Sequence, residues 1–151
     1  MDFTYGIDPS LRHGSVIQLW KSSSVYDWRE ILNWSGRRGL SENSDSIDIG
    51  EHVSWIFETL DCLPRGLVVI EFDPTSVYWR SGKKQIVTLA WFLGYLVSRL
   101  HSSGFKTLIL TPRTVRTIFG FQKGPKEEFQ KFFLDFYHQD FTSKAFDKVS
   151  P

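Results

Sequence analysis

An almost uninterrupted apolar run in the middle of the chain limits most strongly what this sequence can fold into. Residues 66–72 read GLVVIEF, with a single acid, Glu71, among hydrophobic side chains. Such a run is typical of a central β-strand that is covered on both faces. A second apolar run at Lys106–Leu110 (KTLIL) predicts another buried strand of the same kind.

Two segments beside these strands carry apolar residues at helical spacing. In residues 47–60 the apolar face consists of Ile49, Val53, Ile56, Phe57 and Leu60, and in residues 85–100 it consists of Ile86, Leu89, Ala90, Leu93, Leu96, Val97 and Leu100. This spacing predicts amphipathic helices. Residues 112–119 and 126–137 each follow or begin at a proline, which favours a helix start, and predict two further helices.

The N-terminal third has a different pattern. Phe3–Asp8, residues 15–20 and residues 25–33 read as strands with short connections, which predicts antiparallel pairing. The predicted order is therefore three strands, then alternating helices and strands. We expect an α/β fold with a mixed sheet, antiparallel over the first three strands and parallel afterwards. A length of 151 residues fits one domain over residues 1–151.

Charge and cysteine content constrain the function only weakly. The net charge is +1, but residues 99–131 hold seven Lys or Arg and two acids, whereas residues 45–61 are acidic. A basic half can follow phosphates, although a solvated face explains it equally well. Cys62 is the single cysteine, which excludes an internal disulfide and fits the cytoplasm or another reducing compartment that contains DNA. No apolar run reaches membrane length, so no membrane partner is expected.

Two acids stand at the ends of predicted strands. Asp8 ends the first strand just before Pro9, and Glu71 closes the run LVVIE. A carboxylate at the end of a buried strand is costly unless a base or a cation compensates its charge. Either acid alone reads as an ordinary capping or turn residue. Together, in this strand order, they point to a Mg²⁺ site, since Mg²⁺ takes a few carboxylate oxygens and keeps its waters.

The motifs around these acids resemble those of a known family. Residues 5–10 (YGIDPS) resemble the opening motif of RuvC-type Holliday junction resolvases, nucleases of the ribonuclease-H-like superfamily, and residues 67–71 are similar to the strand that ends in the family's second metal ligand. Residues 111–126 (TPRTVRTIFGFQKGPK) resemble the family's run of a proline, a basic residue, a glycine and a lysine. The resemblance covers roughly residues 3–20 and 66–137 and implies a ribonuclease-H-like fold.

The resemblance also implies roles for individual residues. Asp8 and Glu71 would be catalytic residues and ligands of Mg²⁺, for which Mn²⁺ can substitute, and Lys126 would assist catalysis. Arg113, Arg116 and Lys123 would contact DNA phosphates. The loop of residues 73–84 (DPTSVYWRSGKK) would reach branched DNA with Tyr78, Trp79, Arg80, Lys83 and Lys84, because aromatic rings stack on bases while cations hold phosphates. Packing of Tyr78 or Trp79 into the core is an equal alternative.

The sequence departs from the family pattern at its end. The family completes its metal site with a further acidic pair that heads a last helix, whereas this sequence ends at Ser150-Pro151, where such a helix would begin. Asp147 is the acid nearest the expected position of a further metal ligand. We therefore expect a domain that is truncated at the C-terminus. The loop after Glu71 is also longer than is usual in resolvases.

Two functions fit this reading. The first is a metal-dependent, structure-selective endonuclease that resolves four-way (Holliday) or branched DNA junctions by phosphodiester hydrolysis. By resemblance it would act as a homodimer through the helix of residues 85–100. The second is a catalytically incomplete module of the same fold that binds DNA junctions. We expect neither a sugar kinase nor an actin-like ATPase, because 151 residues leave no room for the second domain of those proteins. A ribosomal-RNA-processing nuclease of related fold stays an alternative, although its pattern has more glycine after the first acid.

Overall fold

A computed structural model describes residues 2–72, 83–111 and 113–114 of the chain. The strands are β1 (Phe3–Asp8), β2 (Gly14–Ser22), β3 (Val25–Trp34), β4 (Leu67–Glu71) and β5 (Lys106–Leu110). The helices are α1 (Ser46–Leu60) and α2 (Lys83–Ser102), with a short 3-10 helix at Gly36–Arg38. The described elements follow the predicted order. The helices predicted at residues 112–119 and 126–137 lie outside the described residues, apart from 113–114.

The strands form one mixed sheet in the order β3-β2-β1-β4-β5. β1 pairs antiparallel with β2 and parallel with β4, and β4 pairs parallel with β5. β2 and β3 are joined by a tight turn in which Ser23 adopts a positive φ of 58°, as two-residue hairpin turns require. The predicted fold class is confirmed: antiparallel strands come first and parallel strands follow.

In the described part of the chain, both α-helices pack on one face of the sheet. The strands contribute Tyr5, Ile7, Val68 and Ile70 to the core, and all are at most 3% exposed. The predicted apolar face of α1 is buried in full. α1 begins with a capping box in which Asp45 and Asp48 accept from each other's backbone N–H, which satisfies donors that the first turn leaves open.

The second helix departs from its predicted bounds and face. α2 begins at Lys83 rather than Gln85 and ends at Ser102. Ala90 is exposed, whereas Phe92 and Thr88 are buried. Phe92 fills space against the ring of Trp34, and the Thr88 hydroxyl donates to the backbone oxygen of Glu42 at 2.7 Å. Helical spacing alone did not distinguish these positions from their neighbours.

The prediction that β5 is a buried strand was wrong. β5 lies at the edge of the sheet, and Leu108 and Ile109 are 43% and 48% exposed. An apolar run specifies a strand but not its place in the sheet. No helix in the described ranges is long and apolar enough to cross a membrane. The single domain expected over residues 1–151 extends past the described residues and stays a prediction.

Gly14 provides a test of how closely the start of β2 packs. A Cβ atom at this position would overlap the ring of Trp34 and come within 2.7 Å of the backbone oxygen of Asp8. We expect Gly14→Ala to lower the free energy of unfolding by about 1–3 kcal/mol, measured by urea denaturation. The matched control is Gly50→Ala in α1, where an added Cβ meets nothing within 4 Å in the same chain. At high dilution, where contacts between copies do not contribute, it should be neutral or mildly stabilising. Equal effects of the two substitutions would contradict this packing.

Candidate active site

The structure brings Asp8 and Glu71 together at one end of the sheet. β1 and β4 run parallel, and Ile7 is the register partner of Ile70. The next residue of each strand is Asp8 on β1 and Glu71 on β4, and both therefore lie at the same end of the sheet. Because side chains alternate along a strand and both isoleucines are buried beneath the helices, the two carboxylates project from the opposite face of the sheet.

The surroundings of Asp8 disfavour its charge. Burial is the main reason that the pKa of its carboxyl is raised from 3.8 to about 7, and the negative charge of Glu71 contributes in the same direction. The backbone N–H of Ser10 acts the other way, since it donates to Asp8 Oδ1 at 3.1 Å. A partly desolvated carboxylate beside a second one creates a negative potential that a cation would relieve.

Two loops enclose this end of β1. Pro9 ends the strand, and residues 9–13 form the first loop. The second loop, residues 35–45, follows β3 and is joined to the first by a hydrogen bond of 2.6 Å from the Leu40 N–H to the Leu11 backbone oxygen. Gly39 also approaches Arg12 so closely that a Cβ would lie 2.7 Å from the Arg12 backbone oxygen. The loops thus form one rim beside Asp8.

This rim carries basic residues that the sequence analysis did not single out. Arg12 and His13 are exposed on the first loop. Arg38 is exposed on the second, and its guanidinium carbon lies 5.4 Å from the ring centroid of Trp55. The signal for Arg12 and His13 was their place a few residues after Asp8, in the loop that ends the first strand. Arg38 had no such signal, since only the fold brings its loop to this edge.

Two predicted DNA contacts also lie at this end. Arg113 is exposed and follows β5, whose Leu110 is the register partner of Glu71. It is helical together with Thr114, whose N–H donates to Thr111 Oγ1 at 3.1 Å, as at a helix N-terminus. Lys84 is exposed in the first turn of α2.

The remaining predicted site residues lie at the start of α2 or outside the described residues. Lys83 begins α2. Outside the described residues lie Tyr78, Trp79, Arg80, Arg116, Lys123, Lys126 and Asp147. Their roles stay predictions.

The donor set fits part of a Mg²⁺ site. Mg²⁺ is bound by one or two carboxylates and retains several waters, and Asp8 and Glu71 supply such a pair at neighbouring strand ends. Within residues 2–72, 83–111 and 113–114, no group of three or more His, Cys, Asp or Glu side chains is arranged to hold a metal. The two acids are therefore candidates for part of a ligand set.

The raised pKa of Asp8 predicts a pH-dependent stability. The folded protein holds this proton more tightly than the unfolded chain does, so the ionisation of Asp8 destabilises the fold increasingly as the pH rises from about 4 through 7. In metal-free buffer, Asp8→Asn should raise the free energy of unfolding by on the order of 2 kcal/mol at pH 8 and leave it unchanged below pH 4. Urea denaturation at both pH values measures this.

The control for this prediction is Glu51→Gln on the exposed side of α1. This substitution removes a solvated carboxylate and should not change stability in the same window. Equal stabilities of the wild type and Asp8→Asn at pH 8 would contradict the raised pKa.

Comparison with solved structures identifies the fold. RuvC of Thermus thermophilus shares 16% identity at a TM-score of 0.62, covering 91% of this chain and 80% of that chain. RuvC of T. thermophilus in complex with a Holliday junction substrate shares 15% identity at a TM-score of 0.70, covering 99% and 89%. The yeast mitochondrial Holliday junction resolvase shares 12% identity at a TM-score of 0.50, covering 78% and 57%.

No protein-family model matches the sequence, and no curated protein is similar enough to count as a relative. At the low identities of the solved structures the likeness establishes architecture. The chain has a RuvC-like form of the ribonuclease-H-like fold, which confirms the fold implied by its sequence motifs.

Proposed function

We propose that this protein is a Mg²⁺-dependent, structure-selective endonuclease that resolves four-way or branched DNA junctions by phosphodiester hydrolysis. The observation that carries the proposal is the pairing of Asp8 and Glu71 at adjacent ends of parallel strands in a RuvC-like sheet. The solved neighbour with the higher TM-score is in complex with a Holliday junction substrate, which supports branched DNA as the substrate class.

Asp8 and Glu71 would hold the divalent cation, either Mg²⁺ or Mn²⁺. When bound, the cation neutralises charge on the phosphodiester and lowers the pKa of water. Asp8 must be ionised to bind it, and its pKa of about 7 means that cation binding near neutral pH displaces a proton. Affinity for the cation should therefore increase with pH through this range.

The cationic residues at this end of the sheet would hold the DNA backbone. Arg12, Arg38, Lys84 and Arg113 are exposed there, and contacts from Lys and Arg to phosphates fix the position of DNA without reading its sequence. Lys126, Arg116, Lys123, Asp147 and the aromatic and basic residues of 73–84 keep the roles predicted from sequence. We place this activity in the cytoplasm or another reducing compartment that contains DNA, consistent with the exposed free thiol of Cys62.

We further propose that the protein acts as a homodimer through α2. Val87, Trp91 and Tyr95 are 55%, 49% and 43% exposed, and their spacing of four residues places them along one side of the helix. A groove of about 550 Å³ lies between α1 and α2, and Tyr95 forms part of its wall together with Val53 and Arg99. Its other lining residues are small: Gly50, Ser54, Gly94, Ser98 and Ser102.

Projecting rings next to a groove of small residues form a surface that is complementary to itself. Two copies related by a two-fold axis would each insert rings into the partner's groove, as the symmetry of such an interface requires. A dimer carries two sites, and two symmetrically placed cuts are what resolution of a four-way junction needs.

Cleavage of a labelled four-way junction in Mg²⁺ tests the activity. Asp8→Asn and Glu71→Gln should each reduce the cleavage rate by on the order of a thousandfold or more while the junction stays bound, because each removes a charge that holds the cation. Glu51→Gln should cleave as the wild type does. Normal cleavage by Asp8→Asn would refute the metal assignment. A wild type that binds junctions without cutting them in Mg²⁺ or Mn²⁺ would favour the junction-binding module instead.

Sedimentation equilibrium tests the dimer. Trp91→Ser removes the largest exposed ring of α2 and should raise the dimer dissociation constant by about tenfold or more. The matched control is Ile47→Ser, since Ile47 is 68% exposed on α1 and lies outside the groove residues. A wild type that is monomeric at all concentrations would contradict the interface.

A further inference from the structure

Trp34, at the end of β3, is connected to Asp8 by two consecutive hydrogen bonds. The indole N–H of Trp34 donates to the backbone oxygen of Ser10 at 2.9 Å. The backbone N–H of Ser10 donates in turn to Asp8 Oδ1 at 3.1 Å. Ser10 therefore uses its carbonyl to anchor the loop and its N–H to hold the carboxylate.

The ring of Trp34 is itself held firmly. It is 2% exposed and makes edge contacts with the rings of His52, Phe92 and Trp55 at centroid distances of 5.0, 6.2 and 6.4 Å. On another side it lies against Gly14, where no Cβ would fit. Burial lowers the pKa of His52 to about 4, so this neighbour is uncharged at neutral pH.

This packing determines where the indole N–H points. A ring enclosed by aromatic neighbours and by backbone has little freedom to rotate, so its donor stays directed at Ser10. A buried donor must also keep an acceptor, because leaving it unsatisfied costs about 1–3 kcal/mol. The position of the Ser10 carbonyl is thus imposed by the core rather than by the loop itself.

We propose that Trp34 is a positioning residue for the cation site. The indole N–H fixes the Ser10 carbonyl, in the peptide that links Ser10 to Leu11. This restrains the backbone of Ser10, whose N–H lies in the preceding peptide and holds the carboxylate of Asp8 in the orientation that binds the divalent ion. Trp34 touches neither the cation nor the DNA in this proposal, which rests on the proposed nuclease function. Residues that orient metal ligands through hydrogen bonds change metal affinity without contacting the metal.

The test compares Trp34→Phe with Trp55→Phe. Both substitutions replace an indole by a smaller ring within the same cluster, but of the two indoles it is Trp34 that donates a hydrogen bond to the loop after Asp8. The first readout is hydrogen exchange of the Ser10 amide by NMR in metal-free buffer, and the second is Mn²⁺ affinity by calorimetry. Trp34→Phe should increase the Ser10 exchange rate by about tenfold and weaken Mn²⁺ binding by roughly three- to tenfold.

A purely structural role would not reproduce this pattern. Trp55→Phe keeps an aromatic ring beside Trp34 and keeps the Trp34 hydrogen bond, so it should change both readouts much less than Trp34→Phe does. Excess Mg²⁺ should restore junction cleavage by Trp34→Phe, because the defect is in holding the cation. Where Trp34→Phe is too unstable to assay, benzothienylalanine at position 34 keeps the shape of the ring and replaces its N–H by sulfur. It should show the same two changes.

The outcomes separate this inference from the function on which it rests. Unchanged Ser10 exchange and Mn²⁺ affinity in both position-34 variants would overturn the role of Trp34, even if the wild type cleaves junctions. A wild type that binds no Mn²⁺ would overturn the metal site itself and with it the positioning role. Faster Ser10 exchange in the position-34 variants would then remain as evidence of a structural contact alone.

Discussion

The parallel pairing of β1 with β4 is the constraint on which the rest of the structure depends. β1 is paired on both sides, antiparallel to β2 and parallel to β4, so it joins the hairpin half of the sheet to the half built from strand–helix–strand units. Its register with β4 places Ile7 and Ile70 together in the core. The same register places Asp8 and Glu71 together on the opposite face.

The site works against the stability of the domain that carries it. The core between the sheet and the helices is apolar and closely packed. The opposite face of the sheet carries Asp8, whose ionisation is disfavoured by burial and by the negative charge of Glu71. Local conflicts of this kind concentrate where a protein has a function other than folding. Ser10 relieves part of the conflict at Asp8 through its N–H.

The sequence predicted the elements and the acid pair well because both depend on local patterns. Glu71 stands out as the single charge in an apolar run, and Asp8 stands out before a proline. The place of β5 at the sheet edge was not predictable, since it depends on which strand pairs with which. Ala90 was wrongly predicted to lie on the buried face of α2, because its spacing from the apolar residues fits that face as well as the spacing of the buried positions does. No sequence pattern marked Trp34 or Arg38 as part of the site. The contact of Trp34 with the loop after Asp8 and the contact of Arg38 with Trp55 arise only in the folded chain.

The close approach at Gly14 has a consequence for genetics. The hydrogen atom that glycine carries in place of a side chain lets the Trp34 ring lie against the start of β2, next to the backbone oxygen of Asp8. Any larger residue would displace the ring whose N–H anchors the loop beside the acids. In a screen for loss of function, substitutions of Gly14 would be found together with substitutions of Asp8 and Glu71, although glycine has no reactive side chain. Within a set of related sequences, a glycine there would read as part of the active site.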